Sequence, residues 1–294
     1  MHIPVLVNEV VELLNLSAGD SAIDATINGG GHTEALRVVV GPQGRILGID
    51  RDPGLIRLLR VRYQSQNVKN VELARGSFAD IPDIARMHRL RNIKGILFDL
   101  GFSSYHIESS GRGFSFQSDE PLDMRYDFTG GPEAADLVNG LSVAELERII
   151  REYGDESFAR RIAEEITRAR RKKRIQRTTE LVGVIEQAVP GWYRKRKIHW
   201  ATKTFQALRI AVNDETRHIK EGVSRAVEIL APRGRVAVIS FHSLEDGIIK
   251  QLFNAEHKKG GIAIVTKKPI TPSRAEVLAN PRARSAKLRV AQKQ

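Results

Sequence analysis

The stretch that most constrains this chain is Ala22–Thr33, AIDATINGGGHT, together with Asp50 in GRILGIDRD. Ala22 to Ala25 is a short apolar run that reads as a buried parallel strand. It passes Asp24 and Thr26 and enters Asn28-Gly29-Gly30-Gly31; the segment from His32 to Val40 then reads as a helix with Thr33 near its start. Strand, glycine turn and helix N-terminus make a loop suited to an adenosine cofactor. Glycines admit a ligand close to the backbone, and the free N–H groups of the first helical turn favour anionic groups. A second strand, Arg45 to Gly48, delivers Asp50 nineteen residues after Gly31. A carboxylate there can accept hydrogen bonds from two ribose hydroxyls. The loop lacks a strict G-x-G-x-x-G, so on this stretch alone a glycine-rich βα turn without a ligand stays open.

The pattern continues with a helix over 54–63 and a third strand, Val71–Ala74, which runs into Arg75-Gly76-Ser77-Phe78. A helix over 81–91 follows, then a fourth strand, Ile96–Phe98, with Asp99 at its end. Short apolar strands separated by helices imply a parallel, doubly wound sheet, in which ligands lie at the carboxyl ends of strands. Asp24, Asp50, Phe78 and Asp99 all fall there. The rhythm breaks over 101–131, a loop too long for an ordinary connection. Residues 132–190 then read as helical throughout, with Ser142-Val143-Ala144-Glu145 as a capping box. The α/β pattern resumes with one helix expected over 204–230. A strand over 235–240 ends in Phe241-His242-Ser243-Leu244-Glu245-Asp246, a helix follows, and the last strands fall at 262–265 and 287–290. The expected fold is α/β: a Rossmann-like sheet domain over 1–105 and 201–294, interrupted by an inserted all-helical domain over 106–200 that suits recognition of a large substrate.

Charge narrows the partners. The chain has 294 residues, with 47 Lys and Arg against 35 Asp and Glu, a net +12. Such an excess favours a polyanion, nucleic acid first. Within 151–203, fifteen Lys and Arg stand against seven Asp and Glu. The densest runs are Arg168–Arg174 and Arg194–Lys197, the second interleaved with Trp192, Tyr193 and Trp200. These residue types can contact phosphates and stack on bases; a solvated helix face is the alternative for the basic run, and core packing is the favoured reading of both tryptophans. The absence of cysteine excludes disulfides, a cysteine-ligated metal and a thiol nucleophile. The eight histidines lack ligand spacing, so no metal is expected. Without a basic leader or a long apolar run, the expected location is cytoplasmic.

Several polar groups are placed near the strand ends: Asp99, Ser103, Ser104, His242, Ser243 and Glu245. Hydride transfer with a dinucleotide leaves the basic insert unexplained. Phosphoryl transfer lacks its G-x-x-x-x-G-K-[ST] loop, and a serine hydrolase its G-x-S-x-G elbow. Methyl transfer from a sulfonium donor asks the protein mainly to align a nucleophile. It accounts for a nucleoside pocket combined with a polyanion surface.

The strings HIPVLVNEV (2–10), DATINGGGH (24–32), GIDRDP (48–53), DLGFSS (99–104), RGFSF (112–116), PLDMRYD (121–127), TFQALRIAVN (204–213), ISFHSLEDGIIK (239–250) and NPRARSAKLRVA (280–291) occur in this order. Together they closely resemble the bacterial small-subunit ribosomal RNA cytosine-N4 methyltransferases, the MraW/RsmH family, over nearly the whole chain. The resemblance implies a class I methyltransferase domain with an inserted helical domain, and S-adenosyl-L-methionine as cofactor. It implies transfer to the exocyclic N4 amine of one cytidine in the decoding centre of 16S rRNA. The partner is then the small ribosomal subunit, without a membrane; a homodimer stays open. A DNA amino-methyltransferase and a non-catalytic RNA-binding or ribosome-assembly factor are the competing functions.

Matched residue by residue, Gly30, Gly31 and His32 fall on the family's methionine-side loop, Asp50 on the ribose-binding acid, Phe78 on a residue lining the adenine, and Asp99 on a cofactor-proximal acid. His106 stands where the family usually has Gln and is a further cofactor candidate. Asn28 replaces a common first glycine. A cytosine amine is a weak nucleophile, so the enzyme must accept developing charge or a proton. Asp99 is the candidate acceptor, against a structural or cofactor-only role. His242 is the second candidate base, against a strand-end histidine satisfied by Glu245 or Asp246. Phe102, Phe114 and Phe116 are candidates to stack on a flipped-out cytosine, against packing of the loop onto the insert. Arg112, Arg125, Arg282 and Arg284 are candidates to hold phosphates, against solvated surface.

Overall fold

The computed structural model describes residues 4–101 and 103–294; the Phe102 candidate lies outside the described residues. The chain divides into two compact units, Met1–Ser103 with Thr216–Gln294, and Ser104–Glu215. Among the described residues, no helix is long and apolar enough to cross a membrane.

The first unit is built on a seven-stranded sheet: β1 (Ser21–Asp24), β2 (Arg45–Asp50), β3 (Val71–Arg75), β4 (Ile93–Asp99), β5 (Leu230–Ser240), β6 (Ile262–Ile264) and β7 (Lys287–Lys293), in the order β3-β2-β1-β4-β5-β7-β6. The first five strands pair in parallel, and β7 runs antiparallel to both β5 and β6. Side chains alternate across the sheet because the strand period is two. Ile96, Phe98, Val236 and Val238 join one core with Ile219, Val223, Ile248 and Phe253, while Leu97, Ala237 and Ile239 join another with Val10, Leu14, Leu36 and Leu288. Both faces are therefore buried, which is why these strands read as unbroken apolar runs. The register sets Asp24 beside Gly48, Asp50 beside Arg75 and Asp99 beside Ile239. All three acids terminate their strands at the carboxyl edge.

Local signals explain the elements behind that edge. Asp52 caps the helix Pro53–Ser65, its carboxylate accepting from the Gly54 N–H at 2.7 Å, with Pro53 opening the first turn; both choices suit an N-terminus. Ser77 caps the 3-10 turn Phe78–Asp80 in the same way.

The second unit is helical. Val143–Gly154, Ala159–Arg170, Thr178–Ala188 and Thr202–Asn213 close over Leu146, Ile150, Ile162, Ile166, Leu181, Ile185, Phe205 and Leu208. The expected capping box forms, Ser142 Oγ accepting from the Glu145 N–H while Glu145 accepts from the Ser142 N–H. One expectation fails. The single helix read over 204–230 is two, Thr202–Asn213 and Glu215–Ile229, broken at Asp214, which adopts a left-handed φ of 48°. Apolar spacing runs through the break and hides it. Thr202–Asn213 also packs in the helical unit, so that unit ends after Glu215 rather than at 200.

At that end, Arg209 and Glu215 form a bidentate pair, Nε–Oε1 2.8 Å and Nη2–Oε2 3.0 Å, with side chains only 8% and 9% exposed. Removing one partner of a buried pair strands the other charge, at about 3–5 kcal/mol. Glu215→Ala is expected to lower the Tm by several degrees, and Glu215→Gln by less. Thermal denaturation of the full chain checks this; a Tm equal to the parent's in both variants would contradict it.

Candidate active site

The glycine loop is held shut by its own neighbours. Thr33, in the first turn of the helix Gly31–Val40, donates its hydroxyl to Asp24 Oδ2 at 2.7 Å. Burial pushes the Asp24 carboxyl above its ordinary range. Gly30 sits at φ 78°, a conformation that disfavours side chains, and a Cβ there would lie 2.5 Å from Arg62 Nη2 and 2.8 Å from Tyr63 Oη. Gly31 is the first residue of the helix.

Asn28 is the residue that local spacing undervalued. Its φ of 47° is left-handed, which Asn tolerates better than most residues. Its N–H donates to Asp50 Oδ2 at 3.2 Å, and its Nδ2 donates to the Asp99 carbonyl at 3.2 Å. One side chain and one amide thus tie the loop to the ends of β2 and β4. Asn28→Gly keeps the backbone and loses one buried bond, about 1 kcal/mol, so cofactor affinity should fall several-fold. Asn28→Val adds backbone strain and should also lower the Tm. Calorimetric titration and thermal denaturation check both; wild-type values for the two variants would show that the bridge does not hold the loop.

Asp50 accepts the Asp52 N–H on Oδ1 at 2.9 Å and the Asn28 N–H on Oδ2. A carboxylate has about four acceptor sites, so acceptor capacity is left on both oxygens. Burial pushes this half-buried group up to about 7, against those two bonds. Phe78 stands edge-on to Phe98 at 5.4 Å and to His218 at 6.4 Å. Gly222 lets the helix backbone pass close by, since a Cβ there would lie 2.5 Å from the Phe78 ring. Sequence reading missed Gly222; a glycine inside a helical pattern was its only signal.

Asp99 ends β4. Its N–H donates to Thr26 Oγ1 at 2.6 Å. Oδ2 lies 3.5 Å from His32 Nδ1, and Oδ1 is buried with no hydrogen-bond partner among the described residues. Burial raises this carboxyl to about 6; His32 opposes the rise, while Asp24 and Glu245 add to it. His32, expected as a cofactor contact, is buried, with Nε2 2.9 Å from the Val5 carbonyl oxygen.

His242 caps the helix Ser243–Lys258, Nδ1 accepting from the Glu245 N–H at 3.4 Å, and Nε2 lies 3.0 Å from Glu245 Oε1. Glu245 also accepts from the Phe241 N–H at 2.8 Å. Asp246 grips β7 through Arg289 at 2.6 Å and Lys287 at 3.3 Å, which links FHSLED physically to SAKLRVA. Arg112, a phosphate candidate, is 9% exposed and donates to the carbonyls of Arg125 and Tyr126. Arg125 is committed to Asp123 and Glu133 at 2.7 Å each. Arg282 is exposed, in the turn Pro281–Ser285.

Within the helical unit, His106 is buried between Phe114 at 5.0 Å and Tyr126 at 5.1 Å, and Phe114 stacks on Tyr126. Phe116 stacks on His199 at 4.5 Å, which stacks in turn on Trp200. Both phenylalanine candidates thus have ring partners in their own unit. Trp200 packs against the helical core as expected. Trp192 does not: it is 63% exposed, because the short helix Gly191–Arg194 spends its inward position on Tyr193, whose hydroxyl donates to Glu156 at 2.6 Å. Part of the basic run is neutralised locally, Arg168 by Glu165 and Lys173 by Glu180.

Three acids at the carboxyl edges of adjacent parallel strands, a glycine turn at β1 and an antiparallel seventh strand define a class I methyltransferase, a fold whose methyl donor is S-adenosylmethionine. The chain belongs to the MraW methylase family, whose model matches residues 1–294. It is 45% identical to a ribosomal RNA small subunit methyltransferase H of Persephonella marina, over 99% of each chain, and 42% identical to one of Brevibacillus brevis, over 99% of this chain and 98% of that one. A solved putative rRNA methylase from Clostridium thermocellum, 12% identical, aligns over both whole chains with a TM-score of 0.49.

Proposed function

We propose that this chain transfers the methyl group of S-adenosylmethionine to the exocyclic N4 amine of one cytidine in the decoding centre of 16S rRNA, acting in the cytoplasm on the small ribosomal subunit. The observation that carries this reading is Asp99: a carboxylate at the end of β4 with one oxygen buried and, among the described residues, without a hydrogen-bond partner. The spare acceptor capacity of Asp50 fits the ribose of a nucleoside-bearing sulfonium.

Asp50 would hold the ribose hydroxyls, Phe78 the adenine, and the Gly30–Gly31 turn the methionine portion. The bound cofactor supplies an electrophilic methyl. Everything else falls to the protein. It must hold the cytosine amine in line, and it must take the proton the amine sheds as its nitrogen is alkylated. Asp99 Oδ1 is the acceptor, and its raised pKa keeps it basic enough to matter near neutrality. The net +12 of the chain supplies attraction to rRNA phosphates.

The test is incubation with methyl-labelled S-adenosylmethionine and small subunits lacking the modification. Label is expected in the small-subunit rRNA; its absence there would overturn the proposal. A thermal shift gives a quick first answer: saturating S-adenosylmethionine should raise the Tm, and NAD should not.

A further inference from the structure

We infer that His32 is a positioning residue: its imidazole, anchored on the Val5 carbonyl, fixes the Asp99 carboxyl so that Oδ1 is left as a free acceptor for the amine proton. The inference rests on the methyl-transfer reading for its role and on geometry for its existence.

His32 is 4% exposed, in the first turn of the helix Gly31–Val40. Its Nε2 lies 2.9 Å from the Val5 carbonyl oxygen. A carbonyl only accepts, so Nε2 carries the hydrogen. That leaves Nδ1 facing Asp99 Oδ2 at 3.5 Å. The proton on this side is either on Nδ1, giving an imidazolium beside a carboxylate, or on Oδ2, giving a carboxylic acid beside a neutral ring. Both states turn Oδ2 toward the histidine; among the described residues Oδ1 has no hydrogen-bond partner, and in the ionised state it is the oxygen left to take a proton.

The anchor is itself built with effort. Leu6, next to Val5, is buried and holds a left-handed φ of 57°, a costly conformation for a leucine. The Glu276 carboxylate fixes it by accepting the Leu6 N–H at 2.7 Å. The Leu6 N–H and the Val5 carbonyl belong to one planar peptide unit, so the Glu276 bond also fixes the carbonyl that orients His32. This gives HIPVLVNEV a physical tie to GGGH.

The charged groups around Asp99 are His32, Asp24 and Glu245. Asp24 is occupied by Thr33, and Glu245 by the Phe241 N–H and His242. Both acids push Asp99 toward protonation, and His32 alone of the three opposes them. Loss of the imidazole therefore leaves Asp99 protonated to higher pH.

In the full chain, the acid limb of the kcat/KM profile of His32→Ala should move to higher pH. A limb displaced by about 1 on the pH scale lowers kcat/KM roughly tenfold at every pH below it, and the loss nearly disappears on the alkaline plateau. The cofactor KM should change little. A second measurement needs no turnover: nitrogen-15 spectra of the His32 ring in the wild-type chain should show the hydrogen on Nε2, facing the Val5 carbonyl. A uniform drop in kcat/KM at all pH values, or a ring protonated on Nδ1 with bare Nε2, would overturn the inference. If the wild-type chain methylates no rRNA, the proposed function falls, while the spectra still decide the pair.

Discussion

Asp99→Asn is expected to lower single-turnover methyl transfer by about 10²–10⁴-fold, the usual worth of a positioned proton acceptor. The substitution keeps shape and removes basicity. The Asp99 backbone contacts to Thr26 and Asn28 use N–H and C=O groups, so they survive it. Cofactor affinity should therefore change by only a few-fold and RNA affinity hardly at all. Rapid-quench methyl transfer, calorimetric cofactor titration and RNA filter binding separate the three. In the wild type, the acid limb should fall near pH 6, because the carboxyl must be ionised to accept a proton and burial holds it up to about 6. A variant that transfers methyl groups at the parent's rate would remove Asp99 from the chemistry.

Asp50→Ala should produce the complementary defect. Two charge-assisted hydrogen bonds to ribose hydroxyls are lost, together about 3 kcal/mol or more, which is roughly a hundredfold or greater weakening of cofactor binding. The sign of the pH dependence is fixed by the same group. In the proposed binding mode the ionised carboxylate would accept both hydroxyls, and burial raises its pKa to about 7. Wild-type affinity should rise with pH through about 7 and level off above it; Asp50→Ala should lose that dependence. Calorimetry from pH 5.5 to 8.5 reads both. Equal RNA-binding defects in Asp50→Ala and Asp99→Asn would contradict this division of roles.

The strands and the acids at their ends were legible because they are local. Each strand is an apolar run closed by an acid, a glycine or a turn, and the capping box at Ser142 and Glu145 lies within one helical turn. What stayed hidden depends on residues distant in sequence. The Asn28–Asp99 bond spans 71 positions and the His32–Val5 bond 27, and no periodicity encodes either. Burial of charge was hidden for the same reason. Arg112 and Arg125 look like phosphate ligands until the loop folds their guanidinium groups onto its own carbonyls and carboxylates. Trp192 misled in the other direction: apolar character predicted burial, and a four-residue helix had room to bury only its neighbour Tyr193.

The most direct test of the central claim is nucleoside mass spectrometry of small-subunit rRNA treated with the wild-type chain and S-adenosylmethionine. One new methylated nucleoside is expected, N4-methylcytidine, mapping to a single decoding-centre position and absent with Asp99→Asn. A methyl group on a ring carbon, on a ribose or on another base, or rRNA left unmodified, would contradict it.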